Sequence, residues 1–201
     1  MYDWRRMSKT EREKALEARR SLRHPWHGPP HDYAREGTFH LSAACYEHQP
    51  FIGVSADRMA QSEAELLDTL HACCEEIHAW CILPNHYHAL VDTPSLELAM
   101  NALGQFHGRT SHRWNGEDGT RGRKVWHRCG DRVIRSQRHF WASMNYVHNQ
   151  PVHHRYVEHW QDWPFSSATR FLDAVGRDEA ARIWREYPVR DYGKGWDEPG
   201  F

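Results

Sequence analysis

The chain has 201 residues, room for one domain with a real core plus terminal extensions but not for two full domains. Its 26 Lys and Arg stand against 27 Asp and Glu, so no overall charge draws it to a polyanion, and no apolar run approaches the ~20 residues that span a bilayer. The opening MYDWRRMSKTEREKALEARR lacks the apolar stretch of a secretory leader, and the five cysteines have no C-x-x-C spacing or regular framework, so a soluble cytoplasmic protein with reduced thiols is expected.

Residues 1–37 read as an N-terminal arm: a polar helix over Thr10 to Leu22, then the turn-rich connector HPWHGPPHDY. TFHLSAACY, Thr38 to Tyr46, is bounded by turn residues and reads as a strand. From Asp57 to Glu76 the apolar residues Met59, Leu66, Leu67, Leu70, Cys73 and Ile77 fall at helical spacing. IHAWCILPNHYHALVDTP follows as two apolar runs broken at Leu83-Pro84-Asn85, hence strand, break, strand. A second amphipathic helix is expected from about Ser95 to Trp114, with Leu96, Ala99, Met100, Leu103, Phe106 and Thr110 on one stripe. After the polar loop NGEDGTRGR, the short basic KVWHRCGDRVIRS suits an edge strand or hairpin. Gln137 to Gln150 is helical around Phe140, Trp141, Met144 and Val147, with Pro151 as its stop, and a charged helix near Asp178 to Tyr187 precedes an irregular tail. This order predicts an α+β fold, an antiparallel sheet with helices packed on a face, over residues 38–171, with 172–201 as a C-terminal extension.

The neutral average hides a charge asymmetry. From Gln105 to Phe140 nine cations (Arg109, Arg113, Arg121, Arg123, Lys124, Arg128, Arg132, Arg135 and Arg138) face only Glu117, Asp118 and Asp131. From Thr38 to Gly104 only Arg58 opposes nine acids. A basic segment interleaved with Trp114, Trp126 and histidines can present a patch to phosphates, with Trp126 as a stacking face; a solvated charged face, with Trp126 in the core, fits the same pattern.

Two constellations carry chemistry. His86-Tyr87-His88 opens an apolar strand, where residues two apart share a face, so both imidazoles can reach one metal ion; by itself an H-x-H pair is also met as a structural feature. Tyr146 and Gln150 stand at i and i+4 on a helix, on a face turned from the Phe140, Trp141, Met144 and Val147 stripe. Periodicity alone equally suits a surface tyrosine, and a phenol needs a base or a nearby cation to act as a nucleophile at neutral pH.

LPNHYHALV followed by NYVHNQPVHHRYVEHWQDWPFSS resembles the single-tyrosine transposases of the HUH nuclease superfamily, most of all those associated with repetitive extragenic palindromes. The likeness covers roughly Thr38 to Phe171, and WRRM, PWHGPPH and YGKGWD look like family segments too. It implies a ferredoxin-like core, His86, His88 and Gln150 as ligands of magnesium or manganese, and Tyr146 as the nucleophile that becomes joined to a DNA 5′ phosphate. The palindrome-associated relatives usually show asparagine where Gln150 stands, while insertion-sequence relatives use glutamine; either amide offers a carbonyl oxygen. The reaction implied is cleavage of single-stranded DNA beside a hairpin, with Arg109 to Arg138 on the strand. Monomers are implied by the palindrome-associated group, and dimers exchanging the tyrosine helix by the insertion-sequence group; the monomer is the expectation here. A domesticated hairpin binder that no longer cuts, and a hydrolase using water on the H-x-H metal, are the alternatives. The site is expected to form only if Tyr146 and the histidine pair converge on one pocket open to solvent.

Overall fold

The structure, a computed structural model, describes residues 36–190 and Tyr192, together with Ser8, Thr10, Glu11, Lys14 and Glu17. The Pro-rich connector, the YGKGWD segment apart from Tyr192, and most of the expected N-terminal helix lie outside the described residues. Thr10, Glu11, Lys14 and Glu17 are helical, behind a reciprocal cap in which Ser8 Oγ accepts from Glu11 N–H and Glu11 Oε2 accepts from Ser8 N–H.

Residues 32–192 form one compact unit. Its elements are β1 (Gly37–Ala44), α1 (Ala56–His71), β2 (Glu76–Ile82), β3 (His86–Thr93), α2 (Leu96–Glu117), β4 (Gly130–Val133), α3 (Gln137–His153), α4 (Ala168–Val175) and α5 (Arg177–Glu186). The strands form one sheet in the order β2-β3-β1-β4, every neighbouring pair antiparallel. With a helix after β1 and another after β3, this is the ferredoxin-like topology, as the sequence pattern and the resemblance predicted. The basic stretch does supply the edge strand β4, on β1.

Serines set the helix starts. Ser55, Ser95 and Ser136 each accept from a backbone N–H three residues on, at Arg58, Leu98 and His139, and such a cap is worth ~1 kcal/mol. Helices cover both faces of the sheet, not the one face expected from the sequence, because α3 carries an apolar stripe of its own that needs the second face. Met59, Leu66 and Leu70 of α1 and Leu96, Leu103, Phe106 and Trp114 of α2 close over Phe39, Leu41, Tyr87, Ala89 and Val91. On the opposite face Met144 and Val147 of α3 meet Ala79, Cys81, Leu83 and Leu90, with Phe171 of α4 and Ala180 and Ile183 of α5 completing the cluster. The tyrosine helix therefore lies on a second layer, and α3 is buried along much of its girth.

Pro151 does not stop α3, as the sequence suggested; the helix runs on to His153. The ring stands in the last turn, so the N–H bond it forfeits weakens only the helix end, and the Pro151 carbonyl accepts from Tyr156 N–H at 2.8 Å. Asn145 ties α5 to α3: its Nδ2 donates to the carbonyls of Ile183 and Tyr187 at 3.3 and 2.8 Å, the first of which also accepts the Tyr187 N–H that closes α5.

Candidate active site

Strand alternation puts His86, His88, Leu90 and Asp92 on the α3 face of β3 and Tyr87, Ala89 and Val91 under α1 and α2. The turn leading into His86 is held from several sides. Leu83 N–H donates to the His86 carbonyl at 2.8 Å, and Ile52 and Gly53 N–H both donate to the Pro84 carbonyl at 3.0 and 2.9 Å. Gly53 lies so close that a Cβ there would sit 2.4 Å from Pro84 Cβ. Asn85 Nδ2 donates to the His48 carbonyl at 3.0 Å, which turns Oδ1 toward His86 Nδ1 at 2.6 Å. A carboxamide oxygen only accepts, so His86 carries its proton on Nδ1 and keeps the lone pair on Nε2. The His88 ring stands edge to face with that of His86, centroids 5.1 Å apart, and its Nδ1 lies 3.0 Å from His40 Nε2 across on β1.

The Tyr146 ring packs edge-on against His88 at 5.4 Å and against His40 at 5.6 Å. The fold thus brings the phenol and the imidazole pair together from separate segments. One turn on, Gln150 Nε2 donates to the Tyr146 carbonyl at 3.3 Å, while Gln150 Oε1 is buried with no hydrogen-bond partner among the described residues. A buried carbonyl left so costs about 1–3 kcal/mol, which a hard cation would offset. Two imidazole nitrogens and an amide oxygen are donors that a magnesium or manganese ion could take.

The site is not the solvent-open pocket expected. Tyr146 is only 4% exposed, and His86, His88 and Gln150 are buried as well. The helical wheel turned Tyr146 away from the packed stripe, whereas its ring lies against His88 and His40 on the sheet. Tyr192 lies 5.2 Å from the Tyr146 ring and its hydroxyl bonds Ser143 Oγ at 2.6 Å. A surface tyrosine is thereby ruled out. Arg132, opposite His40 in the β1–β4 register, shares its face of the sheet. Burial pulls its guanidinium below its ordinary range, and attraction to the phenols of Tyr192 and Tyr146 works the other way, which puts a cation near the phenol.

The basic segment divides in two. Arg113 pairs with Glu65 at 2.6 Å and Arg123 with Asp118 at 2.7 Å, while Arg58 binds both Glu117 and Asp118. Hydrogen bonds from Arg58 and Arg123 hold the Asp118 carboxyl down to about 2. These arginines join α1, α2 and the following loop, so their charge is answered by carboxylates and not held open for phosphate. Arg109 reaches Thr69 Oγ1 at 3.5 Å, Arg121 donates to the His112 carbonyl, and Lys124 lies over the Tyr46 ring. Arg128, Arg135 and Arg138, around β4 and the start of α3, are exposed. Trp126 is a correction: it is 7% exposed, stacked on His107 at 4.4 Å with its N–H on Thr110 Oγ1, and it offers no face to a base. Of the large aromatics, Tyr156 is open, at 45%.

The sequence assigned no role to His40, marked Asn85 only as part of a break and Arg58 only as a lone cation, and held Tyr192 only within a family-like segment. The odd polar residue inside the apolar strand TFHLSAACY was the one available signal for His40. At the other end of the same sheet face, the His78 imidazole lies between Asp92 (2.9 Å) and Glu76 (3.5 Å), three groups that could together hold a cation. No helix among the described residues is long and apolar enough to cross a membrane.

No family model matches the sequence. A Haemophilus influenzae protein named as a candidate REP-associated tyrosine transposase is 30% identical over 116 residues, an alignment covering 49% of this chain and 62% of that protein. The chain thus spans less than two thirds of that relative's length. Among solved structures, a REP-associated tyrosine transposase bound to a REP hairpin superposes with a TM-score of 0.56 at 20% identity, covering 80% of this chain and 88% of that one. At that identity the superposition establishes a common fold. The resemblance carried by the two motifs is therefore met twice, and this chain is similar to REP-associated tyrosine transposases in sequence as well as in architecture.

Proposed function

We propose that this protein is a metal-dependent strand transferase for single-stranded DNA, cutting beside a palindromic hairpin through a covalent 5′-phosphotyrosine. The observation that carries this reading is the Tyr146 ring set 5.4 Å from that of His88, beside His86. A phenol so placed reaches the same phosphate that a cation on the imidazoles would hold. That the solved structure similar in fold holds a REP hairpin supports hairpin DNA as the substrate.

A magnesium or manganese ion held by His86, His88 and Gln150 would polarise the scissile phosphate. Tyr146 Oη attacks phosphorus, the P–O3′ bond breaks, and the 5′ phosphate stays on the tyrosine. The phenol gives up a proton and the departing 3′ oxygen takes one up. Arg132 is the cation that favours the phenolate and the crowded phosphate. A second 3′ hydroxyl attacking the phosphotyrosine reverses the sequence, so one phosphodiester is exchanged for another and no nucleotide cofactor is needed. Arg128, Arg135 and Arg138, with Arg109, Arg121 and Lys124, track the strand's phosphates. The chain acts as a monomer, since its own α3 already brings Tyr146 to the histidines.

Labelled single-stranded hairpin DNA incubated with the protein and Mn2+ is expected to give a protein-linked band on a denaturing gel. Tyr146→Phe should abolish that band and leave hairpin binding within a few-fold. An adduct that survives Tyr146→Phe overturns the assignment, and mapping it would test Tyr156. Cut DNA without any adduct points to water as nucleophile, and binding without cutting to a domesticated hairpin binder.

A further inference from the structure

His40 sits in the middle of β1, buried, between the strand that carries the histidine pair and the one that carries Arg132. Its Nε2 is 3.0 Å from His88 Nδ1, in a bond buried at both ends, and its ring meets the edge of Tyr146 at 5.6 Å. An apolar side chain would fill this place at lower desolvation cost. We infer that His40 is a positioning residue for the metal site: its Nε2 accepts the Nδ1 proton of His88 and so directs His88 Nε2 to the cation. This rests on the reading of His86 and His88 as ligands.

A hydrogen bond between two imidazole nitrogens holds one proton. Should it lie on His40 Nε2, His88 Nδ1 is the acceptor, Nε2 must carry the other proton of a neutral ring, and no lone pair faces a metal. With the proton on His88 Nδ1 the ring is a ligand at Nε2, and His40 must be the Nδ1–H tautomer. A cation therefore selects one of the two arrangements, and His40 stabilises it by accepting. Asn85 does the corresponding work at His86 with an oxygen that can only accept. The two candidate ligands are thus oriented from opposite sides, His86 by its chain neighbour and His88 by a residue 48 positions away on the adjacent strand. The same imidazole also packs against the Tyr146 ring, so it braces the phenol as well as His88.

The test is Mn2+ binding to the full chain without DNA, followed by calorimetry and by loss of the free-ion EPR signal. Wild type should bind, and His88→Ala should not. His40→Leu, which keeps bulk but removes the acceptor, should weaken Mn2+ about 10- to 100-fold. His40→Gln, whose carbonyl oxygen reaches about as far as Nε2, should recover most of the affinity. Hairpin binding in a chelator, with the circular dichroism spectrum, reports folding independently of metal. A His40→Leu protein that folds and binds Mn2+ like wild type overturns the inference while leaving the ligand reading intact. Wild type that takes up no Mn2+ overturns both. Should His40→Leu not fold, the imidazole 15N spectrum of the intact protein with Zn2+ decides: metal on Nε2 of His88 and a proton on Nδ1 support the role, and metal on Nδ1 ends it.

Discussion

Two histidines outside the site show what this interior does to charge. Burial pushes His148 down to about 3 and His107 to about 4 from an ordinary 6.5, and each has a hydroxyl partner, Ser167 Oγ at 2.8 Å and the Tyr87 hydroxyl at 3.0 Å. A group whose folded pKa is depressed contributes stability that is complete above its unfolded pKa and is lost as pH falls toward the folded one. The fold should therefore lose on the order of 1 kcal/mol per pH unit for each histidine below pH 6.5, continuing toward pH 4. Urea midpoints at pH 7 and pH 5 check this, and equal midpoints would contradict it. At the same scale, the residue types that announce chemistry were legible in sequence: His86, His88, Tyr146 and Gln150 were singled out by spacing on a strand and a helix. His40 was not, because its meaning lies in a partner 48 residues away that only strand pairing brings near. Trp126 was misjudged because a basic neighbourhood along the chain says nothing about which ring faces become covered in space.

At the scale of elements, periodicity found the helices and misplaced their ends. The helix expected over Asp57 to Glu76 closes at His71, after which Thr93 Oγ1 donates to the Cys73 carbonyl and the chain turns into β2. The burial of Tyr146 escaped the same reasoning, since the apolar stripe leaves it out while its ring meets the polar His88 and His40 of the sheet, with Tyr192 beside them. The contact of α3 with α5 has a measurable weight. Asn145→Ala removes both bonds to the end of α5, each worth about 0.5–1.5 kcal/mol net, so a loss of about 1–3 kcal/mol is expected in chemical denaturation. No loss would mean that α5 is held by its apolar residues alone.

For the whole molecule, the arrangement of charge matters more than its sum. With Arg113 and Arg123 bound to carboxylates, the cations left for a polyanion are fewer than the nine counted between Gln105 and Phe140. Binding of a single-stranded hairpin flank should weaken steeply with salt. Replacing Arg128, Arg135 and Arg138 together by alanine should lower the slope of log affinity against log salt by about 2. Replacing Arg113 and Arg123 should instead lower the melting temperature and leave that slope nearly unchanged. Affinity indifferent to salt in the wild type would remove the basic segment from the interface.

Position 53 carries a consequence for any attempt to vary this protein. Its backbone angles suit every residue type, and what excludes a side chain is the Pro84 ring, 2.4 Å from where a methyl carbon would lie. A hydrogen atom is thus the spacer between one loop and the turn that aims His86. Directed evolution that samples alanine or serine there should displace the Pro84 turn and with it the His86 imidazole of the proposed metal site.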